Sequence, residues 1–148
     1  MPRPAEYENL IKIKAIEEVL PTTGAVKGFL DNAKNYLEAC ELLPEEKTLQ
    51  IFTMAYEGYF QIVQAILEHH GVRTKDAGRN LAIQRVSSDL KLTSAEMPFV
   101  IRAHERRNNT AYRSPFPPVS DADAQAMVSI LKKYLPVAMV LTGLFHKT

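Results

Sequence analysis

A chain of 148 residues fits one domain, and a domain of that size can bury roughly two thirds of the surface its unfolded form exposes. Its single cysteine, Cys40, excludes a disulfide framework and falls in an apolar helical stripe, where a buried structural thiol is expected. The formal charge of +1 hides a segregation: residues 1–71 carry 6 Lys/Arg against 11 Asp/Glu, a balance of −5, and residues 72–113 carry 9 against 4, a balance of +5. Such a basic block suits a phosphate-bearing or acidic partner, and equally a solvated helical face.

In chain order, Leu10, Ile13, Ile16 and Leu20 predict a first helix from about Ala5 to Leu20, although Ile11-Lys12-Ile13-Lys14 alternates as a strand would. Val26, Phe29, Leu30, Ala33, Leu37 and Cys40 give one apolar face to a helix from about Thr23 to Leu42. Pro44 suits a first helical position, with Glu45 and Glu46 in the first turn. The long helix that follows carries Leu49, Phe52, Tyr56, Phe60, Val63 and Leu67 on one stripe, widened by Ile51, Ala55, Ile62 and Ile66, and should be the central one. Gly71 reads as its stop.

Thr74 can cap a shorter helix bearing Leu81, Ile83, Val86 and Leu90. Thr93-Ser94-Ala95-Glu96 has the capping-box pattern for the next helix, and Pro98 raises the alternative that the regular helix begins nearer itself. Ser114-Pro115-Phe116-Pro117-Pro118 must be a connector. Val119-Ser120-Asp121-Ala122-Asp123 then opens a final helix with the stripe Met127, Leu131, Tyr134, Ala138, Leu141 and Phe145, bent at Pro136. The expected fold is all-α: one domain over residues 1–148, an up-and-down helical bundle of five to six helices. The first residues lack a signal-peptide apolar run and Pro136 to Leu141 is too short to span a bilayer, so a cytoplasmic, non-membrane protein is expected.

One segment departs from its own pattern. Continued by three and four residue steps, the stripe Met97, Val100 and Ile101 arrives at His104 and Asn108, then at Ala111 and Tyr112. Core-facing positions have turned polar, and such groups need internal partners or a wet cleft. Around them stand Arg102, Arg106, Arg107 and Arg113, whose guanidinium forks match phosphate oxygens. A solvated helix end gives the same composition.

The run Arg107-Asn108-Asn109-Thr110-Ala111-Tyr112, at the end of a helix before a proline-rich loop and a long final helix, resembles the HEPN superfamily of nucleotide-binding helical bundles. The resemblance spans most of the chain. It implies an RNA or nucleotide ligand bound at Arg107 and Asn108, to which the cationic cluster adds Arg102, Arg106 and Arg113, together with a homodimer and a protein partner such as an antitoxin or a nucleotidyltransferase. Family ribonucleases carry Arg, usually followed by Asn, and a His four to six residues further on. They are metal-independent, the 2′-hydroxyl attacking the adjacent phosphate while Arg steadies the phosphorane and His moves the proton. Here Tyr112 stands where that His would be, and tyrosine, with a pKa near 10, is a poor proton carrier at neutral pH. The catalytic candidates are therefore Arg107, Tyr112 and, one turn before Asn108, His104, which is otherwise a half-buried histidine bonded to a neighbouring helix. Arg107 and Tyr112 point roughly 140° apart on a straight helix, so convergence on one phosphate requires two copies of this helix.

The expectation is an RNA- or nucleotide-binding protein with weak or no ribonuclease activity. Two alternatives stay open: an active ribonuclease toxin of a toxin–antitoxin pair, and a non-enzymatic adaptor whose polar cluster contacts a second protein. No cofactor and no metal are expected, since the adjacent histidines of Glu68-His69-His70 diverge by about 100°. Pro115-Phe116-Pro117-Pro118 reads as a rigid connector, and Tyr56, Tyr59 and Phe60 as core.

Overall fold

The computed structural model describes residues 3–75, 78–112 and 118–144, the side chains of 109–112 excepted. Among the described residues the chain forms an all-α bundle of six helices with one two-stranded sheet. The helices are α1 (Ala5–Lys12), α2 (Ala25–Leu42), α3 (Thr48–His69), α4 (Arg79–Asp89), α5 (Glu96–Tyr112) and α6 (Asp121–Leu141); the strands are β1 (Ile16–Glu18) and β2 (Val72–Thr74).

The first helix is shorter than its periodicity predicts. Lys14 adopts a left-handed backbone, φ 63°, and its amide bonds to Ile11 O while that of Ala15 bonds to Leu10 O. That pair of bonds ends a helix and turns the chain. Ile16 is then buried in β1, antiparallel to β2 with Ile16 opposite Thr74 and Glu18 opposite Val72. Leu20 is 91% exposed. The alternation across 11–14 thus marked the approach to a strand whose partner lies more than fifty residues away. Thr74 is accordingly a strand residue and not a cap: α4 starts at Arg79, with Gly78 at its N-cap. Pro44 belongs to a separate turn closed by Lys47 N to Pro44 O, and the long helix starts at Thr48.

Other signals hold. Gly71, at φ 71°, follows the end of α3. Thr93 and Glu96 form the reciprocal capping box, Thr93 N donating to Glu96 Oε1 at 2.9 Å and Glu96 N to Thr93 Oγ1 at 3.1 Å. Pro98 is accommodated in the opening turns of α5. The Ser120 hydroxyl caps α6, accepting from Asp123 N at 3.1 Å, and Pro136 lies inside that helix. Cys40 is buried, its thiol aimed at Ile51 O and pushed up to about 11 by burial. Phe145, predicted to extend the last stripe, lies outside the described residues, and Leu49 and Leu141 sit at the edges of their stripes, 41% and 43% exposed.

The helix α3 is the centre of the molecule, with thirteen buried residues from Ile51 to Glu68. It packs against α2 and α6 on one side and against α4 and α5 on another. By length and composition α6 is, among the described residues, the one helix able to cross a membrane, but Met127, Leu131, Tyr134 and Ala138 are buried in this core. Glu96 ties α5 to α6, accepting from the Tyr134 hydroxyl and from Lys133 Nζ at 3.0 Å. Burial raises its pKa, but the Tyr134, Thr93 and Lys133 hydrogen bonds prevail and hold it at about 2.

Close approach of three helices depends on Gly58, where a β-carbon would stand 2.7 Å from Leu131 Cδ2 and 2.9 Å from Tyr36 Cβ. We expect Gly58→Ala to destabilise by about 1–2 kcal/mol, overpacking outweighing the better helix propensity of alanine. Urea unfolding should show a lower midpoint at unchanged slope; a midpoint equal to or above the parent's would mean that α2 and α6 yield freely.

Candidate functional site

Within α3 only Glu57 and Glu68 carry carboxylates, and the helix has no Lys or Arg. They are eleven residues apart, about three turns, so they lie on nearly the same side of the helix. Each is met by arginine. Glu68, 1% exposed, accepts from Thr22 N at 2.9 Å and from Arg73 Nε at 3.1 Å. Burial alone would raise its pKa, but the Arg73 and Thr22 bonds lower it. The neighbouring His70 ring packs on Tyr7 at 4.5 Å. Among the described residues no three His, Cys, Asp or Glu side chains are gathered where they could hold a metal ion.

Glu57 is shared. Arg107 Nε from α5 stands 3.1 Å from its Oε1, and Arg79 Nη2 from α4 stands 3.9 Å from its Oε2. The first contact is an ion pair by distance but lacks hydrogen-bond alignment, and Oε1 accepts no hydrogen bond among the described residues. Arg79 is held chiefly by ring faces, its guanidinium carbon 3.5 Å from the Phe60 centroid and 5.7 Å from that of Tyr56. Two cations therefore surround one carboxylate.

Beside this group a chain of polar contacts runs into the core. Arg107 Nη1 donates to Asn108 Oδ1 at 3.3 Å, which turns the Asn108 amide nitrogen toward His104 Nε2 at 3.5 Å. On the other side of the ring His104 Nδ1 and the Tyr56 hydroxyl share a hydrogen bond of 2.7 Å, its direction set by the imidazole tautomer. Both ring nitrogens are engaged, and His104 is 8% exposed. On the α5 stripe His104 is thus met by an internal partner, Tyr56, one of the core aromatics of α3, and Asn108 by Arg107 and His104. A second proton on His104 would have to be accommodated at one of these two engaged nitrogens. Burial, and then the positive charges of Arg79 and Arg107, lower its pKa against the opposing pull of Glu105. Tyr56 is pushed up to about 12 by burial, so its hydroxyl stays protonated.

The arginines expected to act as one cluster divide between two faces of α5. Arg107 joins His104, Asn108 and Arg79. Arg102, exposed, and Arg106 instead border a depression of about 250 Å³ with Phe52, Phe99, Glu105 and Asp123, and an Arg106 Nη donates to Pro118 O at 2.6 Å. The side chain of Tyr112 and all of Arg113 lie outside the described residues. Arg79 and Glu57 were not singled out in the sequence, although Glu57 interrupts an otherwise uncharged run from Thr48 to Leu67. No family model matches the chain, and no curated protein matches it.

A histidine whose folded pKa is depressed binds its proton more readily in the unfolded chain, so its contribution to stability is present above the unfolded pKa near 6.5 and is lost as pH falls below it. His70 shifts in the same direction, through burial and His69. Thermal stability should therefore decline between about pH 7 and pH 5, before the carboxylates titrate. In His104→Gln that decline should be shallower; an identical slope in parent and variant would remove His104 from the account.

Proposed function

We propose that the protein is a HEPN-like bundle that binds RNA or a nucleotide through the Arg/Asn end of α5, with weak or no ribonuclease activity. The observation carrying this reading is the pair of guanidiniums, Arg79 and Arg107, around the carboxylate of Glu57, which among the described residues sets two positive charges against one negative charge beside Asn108. Oxyanions are the natural partners of such an excess. Binding without cleavage is favoured because His104 has both nitrogens engaged and a pKa displaced downward, while a proton shuttle needs a free nitrogen titrating near neutrality. Exposed Arg102 on the adjoining face extends the reach of the surface along a phosphate backbone. A homodimer, by the same reading, brings two such helix ends together, and an antitoxin or nucleotidyltransferase is the class of protein partner.

Fluorescence anisotropy with a labelled single-stranded RNA tests this directly. Affinity should fall as salt rises, and Arg107→Ala should weaken binding several-fold and reduce the salt slope by about one phosphate contact. Equal binding by parent and variant overturns the reading, and an affinity indifferent to salt favours the protein-interaction adaptor. RNA recovered with cyclic-phosphate ends, absent with the Arg107→Ala variant, would establish the ribonuclease alternative instead.

A further inference from the structure

Phosphate binding at Arg107 leaves the role of Arg79 open. This residue opens α4 with its guanidinium carbon 3.5 Å from the Phe60 centroid, a contact that fixes the position of the group without consuming any of its five N–H donors. Its Nε is buried and has no acceptor among the described residues. Its Nη2 stays 3.9 Å from Glu57 Oε2, beyond hydrogen-bond distance. An arginine recruited only to neutralise Glu57 would close that gap into a forked pair. Here the cation is held by the two ring faces and by an interaction with the Tyr56 hydroxyl, while its Nε and its long approach to Glu57 leave hydrogen-bonding capacity unspent among the described residues.

Glu57 is correspondingly under-bound. Its Oε1 accepts no hydrogen bond although Arg107 Nε is 3.1 Å away, and its side chain keeps 21% of its exposure. The carboxylate occupies the space between guanidiniums from two helices as a charge, without the directed bonds that a planar acid makes when it fits. A tetrahedral oxyanion offers acceptors in more directions and can meet both forks.

We infer that Arg79 and Arg107 form a two-helix phosphate clamp and that Glu57 is its resident competitor, a carboxylate that occupies the clamp in the unliganded protein. The inference rests on the RNA- or nucleotide-binding reading and names the residues that grip the phosphate. On binding, a phosphate group accepts from both guanidiniums and the Glu57 carboxylate swings to its solvent-facing side. The competitor sets a threshold, because an anion must outbid an ion pair already in place. Removing it should therefore strengthen binding, whereas a carboxylate that merely positions Arg107 would weaken binding when removed.

The test uses the full chain with Glu57→Gln and Arg79→Gln, each checked for folding by circular dichroism. Isotope-labelled parent is titrated with inorganic phosphate, with a 5′-mononucleotide and with a short single-stranded RNA. The arginine side-chain resonances of Arg79 and Arg107 should move together in every titration where binding occurs. Folded Glu57→Gln should bind RNA roughly twofold to fivefold more tightly, the scale of one partly exposed ion pair, and Arg79→Gln should bind more weakly. Movement of Arg107 without Arg79, or a folded Glu57→Gln that binds no better than the parent, overturns the clamp. RNA binding with neither resonance moving also overturns it while leaving the RNA reading intact. Phosphate moving both resonances in a protein that ignores RNA and nucleotide supports the clamp and removes that reading. Should Glu57→Gln not fold, the parent resonances and Arg79→Gln decide.

Discussion

The helix at the centre of this protein tolerates carboxylates only where an arginine from elsewhere reaches them. With thirteen of its residues buried, α3 could not carry Glu68, 1% exposed, unpaired, since an uncompensated charge in such a setting costs several kcal/mol; Glu57, at 21% exposure, stands at the margin of the core. Arg73 meets one acid, and Arg79 and Arg107 meet the other. These contacts come from β2, α4 and α5 in turn, so the three elements that follow α3 are each registered against it by a cation. The energy of each pair is modest because the arginines remain partly exposed. Their larger effect is geometric: they fix how α4 and α5 lie along α3, and thereby which side chains share a surface.

The same contacts change the meaning of the charge segregation. The acidic first part of the chain and the basic block after residue 71 face each other in the fold, through Arg73 with Glu68, Arg85 with Glu6 and the two arginines on Glu57. Much of the block is therefore internal complementarity between α3 and what packs on it. Net charge along the chain overstates what is left for a partner. At Glu57, however, the match among the described residues is two cations to one anion, which distinguishes it from the closed Glu68–Arg73 pair.

The sequence showed the helices whose apolar periodicity was long and the caps whose chemistry was local, such as Thr93 with Glu96 and Ser120 with Asp123. It could not show β1, because three residues pair only with a segment brought back by two intervening helices, and the left-handed turn at Lys14 falls on a residue type that gives no warning of it. The candidate site was legible as an anomaly on the α5 stripe, but not its solution. His104 is paired with Tyr56 and Arg107 with Glu57 across 48 and 50 positions of sequence, and partnership at that range is a property of packing. The division of Arg102 and Arg106 from Arg107 follows from the helical step, roughly 100° per residue, which separates neighbours that look like a single cluster in one dimension.

Tyr56 gives the arrangement its rigidity. It lies fully buried on α3 with its hydroxyl on His104, and its ring faces the guanidinium of Arg79. The imidazole in turn stands against the Asn108 amide, and that amide receives Arg107. One core phenol thus lies at the root of both arms around Glu57. A histidine used in this way, with both ring nitrogens in contact, helps fix the positions of charged groups. The polar residues on a core-facing stripe therefore act as an internal brace between α3 and α5, and the guanidiniums beside Glu57 are held in place by it.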